Sequence, residues 1–122
     1  MLVSALLTHN PESPTRRIYD YVDSGEIPPL YNGDIIEEYR EVLSRKKFNF
    51  AEEDIAELIS MIIQSGINSD RVPFEEIMPD EKDRVFYEVS LSVDGSYLVT
   101  GNIKHFPAVP CVVTPAQLIE ML

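Results

Sequence analysis

The sequence predicts one α/β domain, residues 1–122, built on a largely parallel sheet. Three observations predict it. Amphipathic helical segments alternate with short apolar runs, most regularly in the C-terminal half, which is the pattern of strand–helix crossover units. The chain has 122 residues, a length at which one domain buries roughly two thirds of the surface that its unfolded form exposes. Hydrophobic residues make up 44% of it and there is one cysteine, so a packed core and no intrachain disulfide must hold the fold.

The elements follow in order. Leu2-Val3-Ser4-Ala5-Leu6-Leu7 opens the chain as an apolar run that has to be buried in a strand or a helix. It lacks a charged leader, is short for a signal peptide, and falls far below the ~18 residues of a membrane span. A soluble, cytoplasmic protein with no membrane partner is expected. Asn10 to Pro14 is a turn cluster. Ser13 and Pro14 then start a helix as N-cap and first helical residue, with Ile18, Tyr21 and Val22 as its apolar face and Gly25 as its end. Ile27 to Tyr31 reads as a short strand containing two prolines. Asp34 caps a helix running to about Arg45. At ~100° per residue, Ile35, Ile36, Tyr39, Val42 and Leu43 share one face, and Glu38 falls at its margin.

Arg45-Lys46-Lys47 places positive charge at that helix's C-terminus. Glu52 to Ser65 is a strongly amphipathic helix stopped by Gly66. Residues 67–78 are irregular, with room for a short strand. Pro79 to about Asp94 reads as another helix, with Phe86, Val89 and Val93 as its buried stripe. Tyr97 to Thr100 is a buried strand ended by Gly101-Asn102, and Val109 to Val113 is a second one. Thr114-Pro115 caps a final helix to Leu122.

Asp and Glu total 21 against 10 Lys and Arg, a formal charge of −11. That excludes a generic basic coat for nucleic acid. A protein this acidic either avoids polyanions or meets them at a local site, for which bound metal ions are one route. No Gly-rich phosphate loop, zinc-type Cys/His spacing or Gly-x-Ser-x-Gly elbow is present. Cys111 reads as a small core side chain. His9 and His105 are far apart, and neither sits in a motif. What remains are carboxylates: Glu38 on its helix margin, Asp80 with Asp83 at a helix start, and Thr100-Gly101-Asn102 just past a buried strand. In open α/β sheets ligands sit at the C-terminal ends of strands. Carboxylates converging there suit a hard cation, which can activate water for phosphoryl displacement. Composition and spacing alone favour Asp80 and Asp83 as helix-capping residues and Glu38 as an ordinary helix-border glutamate.

Five segments in order bear a closer resemblance. They are Leu2-Val3-Ser4-Ala5-Leu6-Leu7, Ile35-Ile36-Glu37-Glu38-Tyr39-Arg40-Glu41-Val42-Leu43, Asp80-Glu81-Lys82-Asp83-Arg84-Val85-Phe86, Tyr97-Leu98-Val99-Thr100-Gly101-Asn102 and Val113-Thr114-Pro115-Ala116. Together they resemble the PIN-domain family, in its branch of toxin components of prokaryotic toxin–antitoxin systems. The resemblance implies a three-layer α/β/α fold around a largely parallel sheet of about five strands. It implies an endoribonuclease dependent on Mg²⁺ or Mn²⁺. Glu38, Asp80, Asp83 and Asn102 match the catalytic positions, with Glu38 and Asp83 as metal ligands. Lys46 and Lys47 are candidates for contact with the RNA backbone. A cognate antitoxin and a second copy of the chain are the protein partners it suggests.

Two departures accompany the match. Asn102 is neutral where many members carry Asp. In the family, a strand ending in Asp-Thr-Asn precedes the Leu-Val-Ser-Ala segment, and Met1 stands where the residue after that Asn would be. The resemblance therefore leads us to expect a sheet without its first, central strand and a site without its first aspartate. Two functions stay open at this stage: a metal-dependent ribonuclease, and a catalytically degenerate module acting by association with an antitoxin or with itself.

Overall fold

A computed structural model describes residues 10–122, so the expected burial of Leu2–Leu7 lies outside the described residues. Helix α1 (Pro14–Asp23) starts as its sequence dictates. The Ser13 hydroxyl accepts the Arg16 N–H at 3.3 Å, and Pro14 occupies the first turn. Helix α2 (Gly33–Leu43) begins one residue before Asp34 because Asn32, not Asp34, is its cap: Asn32 Oδ1 accepts the Ile35 N–H at 2.9 Å. Asp34 is freed for an ion pair with Arg71. The basic run does not extend α2. Lys46–Phe48 forms a separate tight turn that closes at Asn49 in the left-handed region, φ 52°.

Helix α3 (Glu52–Ser65) carries three acidic residues in its first turn, where the helix dipole favours them. It buries Leu58, Ile59, Met61 and Ile62. Gly66 then turns the chain straight into strand β2 (Ile67–Asn68). A Cβ at Gly66 would stand 2.4 Å from the Ile62 carbonyl oxygen and 2.6 Å from that of Pro29, so only glycine permits this approach. The single helix expected from Pro79 to Asp94 is divided. Glu81–Asp83 is a 3₁₀ turn and helix α4 spans only Arg84–Ser90. At its end the Ser90 and Ser92 hydroxyls donate to the Tyr87 and Val89 carbonyls, at 2.6 and 2.7 Å, alongside the Leu91 and Ser92 N–H groups. The chain closes with helix α5 (Pro115–Met121), opened by a reciprocal capping box between Thr114 and Gln117.

Four two-residue strands form two parallel pairs. β1 (Leu30–Tyr31) pairs with β2, Leu30 opposite Ile67. β3 (Leu98–Val99) pairs with β4 (Val112–Val113), Leu98 opposite Val112. The α/β class with parallel pairing is as the sequence predicts. Where a sheet without its first, central strand is expected, the described residues hold two separate two-stranded sheets. The ladder shows how each pair is joined. Carbonyls of Pro29 and Tyr31 serve β2, and N–H groups of Leu98 and Thr100 serve β4. By the alternation of a strand, the peptide groups of Leu30 and Val99 are directed away from those partners. A cavity of about 540 Å³ has both pairs in its wall, with Phe86 and Val89 of α4 and Ile18, Val22 and Leu118 of α1 and α5 completing it. Helix α4 packs against β1 and β3 alike.

Among the described residues, two apolar clusters organise the packing. The larger joins α1, α2, α3 and α5 through Ile18, Val22, Ile36, Leu43, Leu58, Ile62 and Leu118. The smaller consists of Met78, Tyr87, Leu98 and Phe106. A charged group is buried beside it. Glu88, 7% exposed, accepts both Arg71 nitrogens at 2.6 and 2.8 Å and the Phe74 N–H at 2.8 Å. The Phe74 N–H, with Arg71, holds its carboxyl below the ordinary glutamate range. This contact straps residues 71–74 onto α4, on the way to the turn that carries Asp80.

Candidate metal centre

Each residue of the smaller cluster stands beside a polar one. Met78 precedes Asp80 by two positions, and Tyr87 follows Asp83 by four. Leu98 leads into Thr100 and Asn102, and Phe106 directly follows His105. Burying those four apolar side chains, at roughly 1.5–3 kcal/mol each, fixes two chain segments against each other. What they bring together at the surface is Asp80, Asp83 and His105, whose ligand atoms lie within 4.8 Å of one another.

The first segment is braced by its own hydrogen bonds. Asp80 Oδ1 accepts the Lys82 N–H at 3.0 Å and the Asp80 carbonyl accepts the Asp83 N–H at 3.2 Å. Arg84 grips both Glu81 carboxylate oxygens at 2.7 Å and donates to the Phe74 and Glu76 carbonyls. Asp80 thus caps its turn, as the plain reading of the sequence allows, while keeping its second oxygen for other work. The second segment leaves the C-terminal end of β3. Thr100 Oγ1 accepts the Asn102 N–H at 3.0 Å, and the Asn102 carbonyl accepts the His105 N–H at 3.1 Å, closing the tight turn Ile103–His105. Asn102 Nδ2 and His105 Nε2 are 2.9 Å apart. His105 Nδ1 lies 3.3 Å from Asp83 Oδ2. The result is a chain of contacts running Asn102, His105, Asp83, Asp80.

Its electrostatics favour a cation. Partial burial raises the Asp83 carboxyl above the usual aspartate value, the Asp80 charge raises it further, and His105 acts in the opposite direction. Two carboxylates held this close repel each other until positive charge lies between them. Two carboxylates and one imidazole are an ordinary donor set for a divalent first-row ion, so these residues fit the metal that the resemblance implies. Asp83, Thr100 and His105 also line the cavity, so the group sits at its rim. This is the C-terminal end of a parallel strand, where the sequence analysis expects a ligand.

Of the residues singled out from sequence, Asp80, Asp83 and Asn102 are therefore neighbours. Glu38 is half-buried on α2 and is not a member of the group among the described residues. Its neighbour Tyr39 lines the cavity and packs on Phe86 with ring centroids 5.7 Å apart, so α2 flanks the start of α4. Lys46 and Lys47 are exposed on their own turn, Lys47 Nζ lying 5.1 Å from the Phe48 ring centroid. Sequence reasoning passes over His105. The only available signal is its spacing: it follows Asn102 by three residues, one turn on, past a strand end. Among the described residues no helix is long and apolar enough to cross a membrane.

A family model described as PIN domain matches residues 1–104, which takes in Asp80, Asp83 and Asn102 and ends one residue before His105. No curated protein and no solved structure matches the chain.

Proposed function

The chain belongs to the PIN-domain family, and from that premise we propose that it is a Mg²⁺- or Mn²⁺-dependent endoribonuclease of the toxin type. One observation carries the reading. Two carboxylates from one buttressed turn and the polar end of β3 converge beside a cavity, with no basic residue between Asp80 and Asp83 but Lys82, which is exposed. A divalent ion bound there supplies positive charge to a scissile phosphate and acidifies a water for attack on it. Asp83 is the principal ligand and Asp80 a helper, through the oxygen its turn leaves free. Glu38, half-buried on the flanking helix α2, would be a further ligand by the resemblance. Asn102 orients its neighbours. Lys46 and Lys47 meet the RNA backbone away from the metal, where their charge offsets the acidic surface. The setting is the cytoplasm, and the regulating partner is an antitoxin protein.

Purified chain incubated with single-stranded RNA and Mn²⁺ should cleave internally, and excess chelator should stop it. Asp83→Asn should reduce the rate at least about 100-fold, the upper end of what losing even an outer partner of a metal does. Undiminished cleavage by that variant would remove this site from the reaction.

A second reading, association without catalysis, is favoured by the peptide groups of Leu30 and Val99 at the cavity wall, which among the described residues are directed away from their strand partners. They are the kind of strand edge that a second chain pairs with. Absence of cleavage together with a stable dimer in sedimentation would favour it over the nuclease.

A further inference from the structure

We propose that His105 is a direct metal ligand through Nδ1, held in place by Asn102, and that it biases the site toward Mn²⁺ over Mg²⁺. The proposal rests on the metal-site reading above and adds a residue and a selectivity to it. Three observations carry it. First, His105 Nδ1 is 3.3 Å from Asp83 Oδ2. Adjacent donors around an octahedral ion bound at ~2.1 Å lie roughly 3 Å apart, so imidazole and carboxylate already stand at the spacing of neighbouring ligands.

Second, the far side of the ring is engaged. Asn102 Nδ2 is 2.9 Å from Nε2. A side-chain amide offers an oxygen or a nitrogen at nearly the same place. With its oxygen turned to the ring it accepts the Nε2–H, which leaves the Nδ1 lone pair facing Asp83. Holding the distal N–H of a ligating histidine is the usual task of an outer partner. Asn102 therefore stands where an outer carboxylate or carbonyl oxygen commonly holds such a ring.

Third, the imidazole is placed by packing as well as by polar contacts. The adjacent Phe106 is buried in the same apolar cluster as Tyr87 of α4, and α4 begins directly after Asp83. As a surface ion pair alone, with the His105 side chain 45% exposed, the His105–Asp83 contact would add little to stability. A nitrogen donor matters for selectivity because Mg²⁺ takes oxygen almost exclusively, whereas Mn²⁺ accepts imidazole more readily.

The test uses the full chain and each metal alone. Electron spin-echo envelope modulation of the Mn²⁺-loaded protein should show coupling to an imidazole nitrogen. His105→Gln, which keeps an oxygen donor but no nitrogen, should abolish that coupling, while His9→Gln should leave it. By calorimetry, His105→Gln should weaken Mn²⁺ binding about 10-fold or more and Mg²⁺ binding distinctly less, and Asn102→Ala should weaken Mn²⁺ in the same direction. Nitrogen coupling that persists in His105→Gln, or equal losses for both metals, would overturn the proposal and leave the metal-site reading standing. Failure of the wild-type chain to bind either metal would overturn both.

Discussion

Asp83 holds its proton more tightly than an ordinary aspartate because it is partly buried beside Asp80. An acid whose pKa is raised by folding stabilises the fold while protonated, and that stabilisation is lost as pH rises through the raised value. At neutral pH, without metal, its ionised form therefore works against the fold. Asp83→Asn keeps the shape and deletes the charge. The metal-free variant should melt at a higher temperature than wild type at pH 7, and the gap should close as pH is lowered through the Asp83 titration. The same substitution should bind Mn²⁺ at least about 10-fold more weakly in calorimetry. Opposite signs for stability and metal affinity are the mark of a residue placed for a ligand. Loss of both together would make Asp83 a structural residue instead.

At the scale of elements, the short junction between α3 and β2 positions one of the two strand pairs. Gly66 has φ −97°, which any residue can adopt, so its importance is steric. Ala would put a methyl group into the carbonyls of Ile62 and Pro29 and against the Tyr31 ring. Gly66→Ala should destabilise the protein by about 1–3 kcal/mol, the usual penalty for overpacking, seen as a lower urea midpoint with an unchanged slope. Helix starts were legible in the sequence where a cap and a proline coincide, as at Ser13-Pro14 and Thr114-Pro115. They were misread where two capping residues compete. Asn32 outcompetes Asp34 because its side chain reaches the Ile35 N–H, while Asp34 is drawn to Arg71, 37 residues further along. Helix α4 is shorter than its apolar spacing suggests: after Leu91 the chain tightens, the Ser92 N–H reaching the Val89 carbonyl three residues back.

The whole molecule carries a charge of −11, and the group at the cavity rim concentrates part of it. Anything that binds the folded form alone stabilises it by mass action. Mn²⁺ at about 100 times its dissociation constant should add about 2.7 kcal/mol, observable as a raised melting temperature that chelator reverses. A melting temperature indifferent to millimolar Mn²⁺ would mean that the carboxylates face each other without a metal to join them. The same acidity that excludes a basic RNA-binding surface is thus compatible with RNA at one neutralised point.

The sequence by itself determined the class of fold, the family resemblance that the PIN-domain match supports, and the nearness of Asp80 to Asp83. These rest on local spacing and on the order of segments along the chain, which the residues spell out directly. Only the tertiary structure decided that His105 joins them, that Asn102 stands behind it, and that Glu38 stays on the flank. It also decided that the four short strands form two pairs with a cavity between. Those outcomes depend on Met78, Tyr87, Leu98 and Phe106 packing together across 28 residues of chain. A contact between distant segments leaves no period in the sequence; it is set by which apolar side chains are buried against each other.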